Sequence, residues 1–146
     1  MFLLTKNEQM KKILKVNEAT AATDIAVLIA RIGIATLMLT HGLPKLMMLI
    51  SGGQIMFPPV FGMSPEVSLA LAVFAEVVCS VLLLAGLGTR LVLIPLFVTM
   101  LIAALLIHSA DPFAVKEPAI LYSLVFGTLF LTGSGRYSLD YLLQKK

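Results

Sequence analysis

The chain has 146 residues, 59% of them hydrophobic and 13% charged, with a net charge of +3, a mean hydropathy of +0.99, no tryptophan and one cysteine. Soluble domains run at roughly 45–50% apolar and 25% charged residues, so an ordinary soluble globule is excluded. About four spans of roughly 20 residues use nearly everything after residue 23 and leave no room for a large extramembrane catalytic domain.

Residues 1–23 carry Lys6, Lys11, Lys12 and Lys15 with apolar residues interspersed, the pattern of a basic interfacial arm lying against membrane lipids. The first long apolar run begins only after Asp24, with no small-residue cleavage site before it, which predicts a retained span and not a secretory signal. Spans are predicted over 24–46, 65–84, 90–108 and 117–131. The first two are joined by the charge-free stretch 47–64 with Gly52, Gly53, Pro58 and Pro59, a loop or re-entrant segment. Gly86-Leu87-Gly88-Thr89 breaks spans two and three, and Pro118 suits a first helical turn of span four. Gly133-Ser134-Gly135-Arg136 ends span four, before an amphipathic tail with Tyr137 and Tyr141 and the basic end 144–146. The expected fold is therefore all-α, a polytopic four-helix bundle whose membrane domain covers 24–143.

The N-terminal arm, Arg90, Arg136, Lys145 and Lys146 fall on one side of this topology, and only Lys45 and Lys116 on the other. That asymmetry predicts both termini in the cytoplasm. Basic residues confined to segment ends, without an aromatic-interleaved basic face, give no expectation of nucleic-acid binding. Cys79, being alone, excludes an intrachain disulfide, a CxxC redox pair, an iron–sulfur cluster or a four-thiolate zinc site within one chain. A methionine group toward the outer half is read as packing, and no metal site is expected.

Ionisable residues inside the spans carry the functional expectation, because an unpaired charge in hydrocarbon costs about 2.5 kcal/mol or more. Arg31 in span one and Glu76 in span two are expected at similar depth and as an ion pair. Arg31, Ala35, Met38, Gly42 and Lys45 share one helical stripe flanked by His41. His108 ends span three at the height of His41, and with Lys45, Glu117 and Tyr122 they form an expected outer polar pocket. Interfacial belts of histidine, lysine and tyrosine give the same pattern without chemistry. Small residues from Gly33 to Gly42 suit close helix packing within a bundle or in a homo-oligomer.

Arg31, His41-Gly42-Leu43-Pro44-Lys45, Glu76 with Gly86-Leu87-Gly88-Thr89-Arg90, Lys116-Glu117-Pro118-Ala119-Ile120-Leu121-Tyr122 and Gly133-Ser134-Gly135-Arg136-Tyr137-Ser138-Leu139-Asp140 together resemble the DoxX family across residues 24–143. The resemblance implies a multi-pass protein of the bacterial inner membrane, associated with oxidoreductase assemblies, quinone-linked sulfur oxidation and responses to thiol or oxidative stress. It implies a polar core of Arg31, His41, Lys45, Glu76, Glu117 and Tyr122. No flavin, nicotinamide or iron–sulfur motif is present. The expectation is thus a quinone-interacting subunit with no covalently bound cofactor, its redox cofactors on a soluble or membrane partner. Glu76 and His41 are the expected proton-handling residues, with Arg31, Lys45, His108, Glu117 and Tyr122 around the head group. The rival expectation is a non-catalytic scaffold or small-molecule carrier with a structural ion pair.

Overall fold

The computed structural model describes residues 21–145, so the basic arm lies outside the described residues up to residue 20. Four long helices form, each apolar enough and long enough to cross a membrane: α1 (Ala21–Ile50), α2 (Pro65–Ala85), α3 (Thr89–Ile107) and α4 (Phe113–Thr132). A short α5 (Leu139–Gln144) follows. No strand occurs among the described residues. At about 1.5 Å per residue α1 is ~45 Å long and overruns a hydrocarbon core of roughly 30 Å.

Local chemistry sets the ends. Ser64 accepts the Val67 N–H ahead of Pro65, which starts α2 in the position where a missing N–H costs nothing. Gly86, at φ +67°, ends α2: its N–H donates to the Leu83 carbonyl and the Leu87 N–H to Leu82, a Schellman closure. Helix α4 starts at Phe113, earlier than expected, so Pro118 lies inside it and not in its first turn. Two stretches loosen to π-helix, Phe74–Cys79 within α2 and Ala103–Ile107 at the end of α3.

Consecutive helices run antiparallel. Helix α1 packs on α2 and α4, and α3 on α2 and α4, which closes the bundle. Its core holds Ala35, Met38, Cys79, Leu83, Leu93, Leu96 and Phe126. Ile29, Leu37, Leu91, Leu105 and Leu131 stay outside as an apolar belt, the arrangement expected when lipid is the solvent. Gly42 marks a close approach of α1 and α2: a Cβ there would stand 2.9 Å from the Glu76 backbone and 2.8 Å from Val77 Cγ2. Gly42 is thus used inside the bundle, whereas Gly33 faces open space.

Candidate functional site

The expected Arg31–Glu76 pair does not form. Contacts of Gly42 with Glu76 and of Gly86 with Arg31 set the α1–α2 register, and they place Arg31 and Glu76 about ten residues, or ~16 Å, apart along the bundle. Side-chain direction widens the gap, since helical side chains tilt toward their own N-terminus. Arg31 therefore reaches back to the end of the bundle where α1 begins. Lys45, higher on α1, reaches back into the bundle, and Glu76 on the antiparallel α2 reaches toward it.

Each charge accordingly has another partner. The Arg31 guanidinium, 2% exposed, donates to the backbone carbonyls of Ser134 at 2.7 Å and Tyr137 at 2.6 Å. Asp140, on the same returning segment, accepts the Gly88 and Thr89 N–H groups at 2.7 and 2.9 Å and so caps α3. Its own N–H donates to the Gly86 carbonyl, and Arg136 bridges Asp24 at 3.3 Å. The blocks around Arg31, Gly86–Arg90 and Gly133–Asp140 thus meet as one structural clasp. Nothing in the sequence patterning predicted the Asp140 cap. The usable signal was an acidic residue of the tail set against a helix start that has no capping side chain of its own.

Burial opposes the charge on Asp140, but the Thr89 and Gly88 N–H groups and the Arg31 charge outweigh it and hold the Asp140 pKa below the ordinary aspartate value. A depressed folded-state pKa contributes stability above the unfolded value of about 4, lost as pH falls through the folded one. Thermal unfolding in detergent between about pH 7 and pH 3 is expected to show the parent more stable than Asp140→Asn at neutral pH and the two converging at the acid end. A difference independent of pH would remove the cap's electrostatic role.

At the opposite end, Lys45 Nζ lies 2.5 Å from Glu76 Oε1, with Glu76 1% exposed. Glu76 Oε2 has no hydrogen-bond partner among the described residues. Both residues line a cavity of about 400 Å³ whose walls are mostly apolar: Phe57, Pro58, Val60, Phe61 and Met63 of the 51–64 loop, Leu71 and Ala72 of α2, and Ile102, Ala103 and Ile107 of α3. The loop that the sequence left open between free and re-entrant is a wall of this cavity. Ser68 ties it down by accepting the Val60 N–H at 3.1 Å. Both π-helical stretches contribute, one carrying Glu76 and the other Ala103 and Ile107. Such irregularities recur at functional sites because they re-aim a side chain without ending the helix.

His108 lines the cavity, its Nδ1 2.7 Å from Asp111 Oδ2. Lys45 also stands over the Phe57 ring, 6.0 Å from its centroid. His41 packs edge-on against Tyr122 with centroids 5.7 Å apart, and neither residue lines the cavity. Glu117 is exposed and lies outside it, as does Arg31. Of the expected pocket residues the fold therefore gathers Lys45, Glu76 and His108, pairs His41 with Tyr122, and leaves Glu117 and Arg31 elsewhere. The aromatic and proline wall from the loop was not foreseen, because loop side chains follow no helical period.

A four-helix membrane protein with a buried, lysine-paired carboxylate beneath a mostly apolar, loop-walled cavity defines the class. The sequence model of the DoxX family, described simply as DoxX, matches residues 26–109, and the chain belongs to that family. The match takes in Arg31, His41, Lys45, Glu76 and His108, while Glu117, Tyr122 and the Gly133–Asp140 block fall beyond it. No curated protein and no solved structure matches the chain.

Proposed function

We propose that this DoxX-family protein is a quinone-interacting subunit of a bacterial inner-membrane oxidoreductase assembly, with the Lys45–Glu76 cavity as its head-group site. The observation that carries this reading is a buried carboxylate, one oxygen of which has no partner among the described residues, on a mostly apolar cavity. The volume of about 400 Å³ lies within the roughly 300–1,000 Å³ of small-molecule sites, and the residues fit a planar ring with a polar edge. Phe57, Pro58 and Leu71 supply apolar walls, and Lys45 and Glu76 supply one donor and one acceptor at the end. Such a ring brings two-electron, two-proton chemistry when bound. This chain's share is to bind and orient it and to exchange a proton with it at Glu76, with His108 and Asp111 as the polar connection toward the loop end. The electrons come from a cofactor-bearing partner.

The described termini share the end of the bundle that carries Arg31, Arg90, Arg136 and Lys145, and that excess supports a cytoplasmic placement of both. The cavity then opens toward the outer face. The scaffold reading draws its support from Arg31, whose described hydrogen bonds all go to backbone carbonyls of the tail.

Mass spectrometry of small molecules extracted from protein purified in its native lipids separates the two readings. We expect a quinone retained stoichiometrically by the parent and lost from folded Glu76→Gln. No enrichment over bulk membrane would make the scaffold the better account.

A further inference from the structure

The cavity's polar groups differ in what they lack. Ser68 Oγ already accepts the Val60 N–H, His108 Nδ1 is engaged by Asp111, and the half-buried Thr99 hydroxyl on the same lining can rotate to donate or to accept. The Lys45 side chain is 30% exposed, so the protons not donated to Glu76 Oε1 are open to water or to ligand oxygens. Glu76 has no such outlet. Glu76 lines the cavity while only 1% exposed, and its Oε2 is a buried polar atom left without a partner among the described residues. Paired with an ammonium, Glu76 is a carboxylate, and a carboxylate only accepts hydrogen bonds. What Glu76 Oε2 lacks is therefore a donor.

From this we infer that the cavity selects a ligand by a ring hydroxyl that donates to Glu76 Oε2, so that it takes the reduced, hydroxyl-bearing form of a lipophilic ring in preference to the carbonyl form. This rests on the cavity's being the head-group site, and it adds the polarity of the bond made there. A ring with only carbonyl oxygens presents acceptors, which leaves Oε2 unsatisfied and places two acceptors against each other. Lys45 can serve such a carbonyl, but the lysine has other outlets and its gain is correspondingly smaller. A buried acceptor satisfied in one complex and left bare in the other separates the two by about tenfold or more in affinity.

The test uses redox-inert probes that differ in the donor O–H, replaced in one of them by a methyl ether. The full chain in lipid nanodiscs is titrated with para-hexylphenol and with para-hexylanisole, which share ring and tail, and partitioning into empty nanodiscs is subtracted. The phenol is expected to bind about tenfold or more tightly than its methyl ether, and folded Glu76→Gln, whose amide both donates and accepts, is expected to lose most of that preference. The parent comparison needs no variant and stands if the substitution prevents folding. Equal binding of the two probes would overturn the donor inference while leaving the cavity as a ring site. Binding of neither above empty nanodiscs would overturn the cavity reading and the inference with it. A phenol preference that persists undiminished in folded Glu76→Gln would show that another group accepts the hydroxyl and would overturn the assignment to Glu76.

Discussion

Arg31→Ala is expected to lower the stability of the detergent-solubilised protein by about 3 kcal/mol or more, because hydrogen bonds from a charged donor contribute roughly 1.5–3 kcal/mol each and two are lost together. The Ser134 and Tyr137 carbonyls lose their donor, and the turn that brings Asp140 onto the start of α3 loses its anchor. Arg31→Lys is expected to recover only part of the loss: an ammonium carries the charge but does not match the planar fork whose two terminal nitrogens reach two separate carbonyls. Equilibrium or thermal unfolding reads the change, and proteolysis near residue 135 reports whether the tail has come away. A loss under about 1 kcal/mol, the size of an ordinary surface change, would mean that the clasp contributes little.

Lys45→Met is expected to cost about 3–5 kcal/mol, since it strands a carboxylate that is 1% exposed. Changing both partners, Lys45→Met with Glu76→Leu, is expected to recover most of that stability while abolishing ligand retention. Removal of a well-placed buried pair is often neutral, whereas removal of half of it is not. Restored stability with quinone still retained would separate the ion pair from binding and sink the functional reading. The same double-mutant logic distinguishes the observed pairing from the one that the sequence suggested. Arg31 and Glu76, about 16 Å apart along the helices, are expected to give additive changes, and Lys45 and Glu76 a coupling of up to about 3 kcal/mol.

These two arginine and lysine positions show where sequence reasoning reached its limit. The stripe from Arg31 to Lys45 is legible from steps of three and four residues, and Glu76 is legible as a charge that needs a partner. Choosing between the two basic residues depended on the α1–α2 register and on the tilt of side chains toward each helix's N-terminus. The tilt is a general property of helices and was available beforehand; the register was not. It follows from Gly42 meeting the Glu76 backbone and Gly86 meeting the Arg31 guanidinium, contacts that exist only once two helices lie together. Assigning depth from presumed span ends was wrong because the helix ends are not level: with Arg31 beside Gly86, the first turns of α1 extend past the end of α2 at Ala85.

What the amino-acid sequence determined by itself was the solvent and the architecture. Twenty-residue apolar runs must satisfy their backbone internally, so composition and the spacing of glycine, proline and charge suffice to specify four helices and the breaks between them. The polar stripe of α1 was an equally local deduction. The tertiary structure alone decided which charges meet, that the tail returns to cap α3, and that the 51–64 loop walls a cavity over Glu76. Those outcomes depend on interhelical register and on the path of non-periodic segments, which are fixed by long-range packing and leave no period in the chain to read.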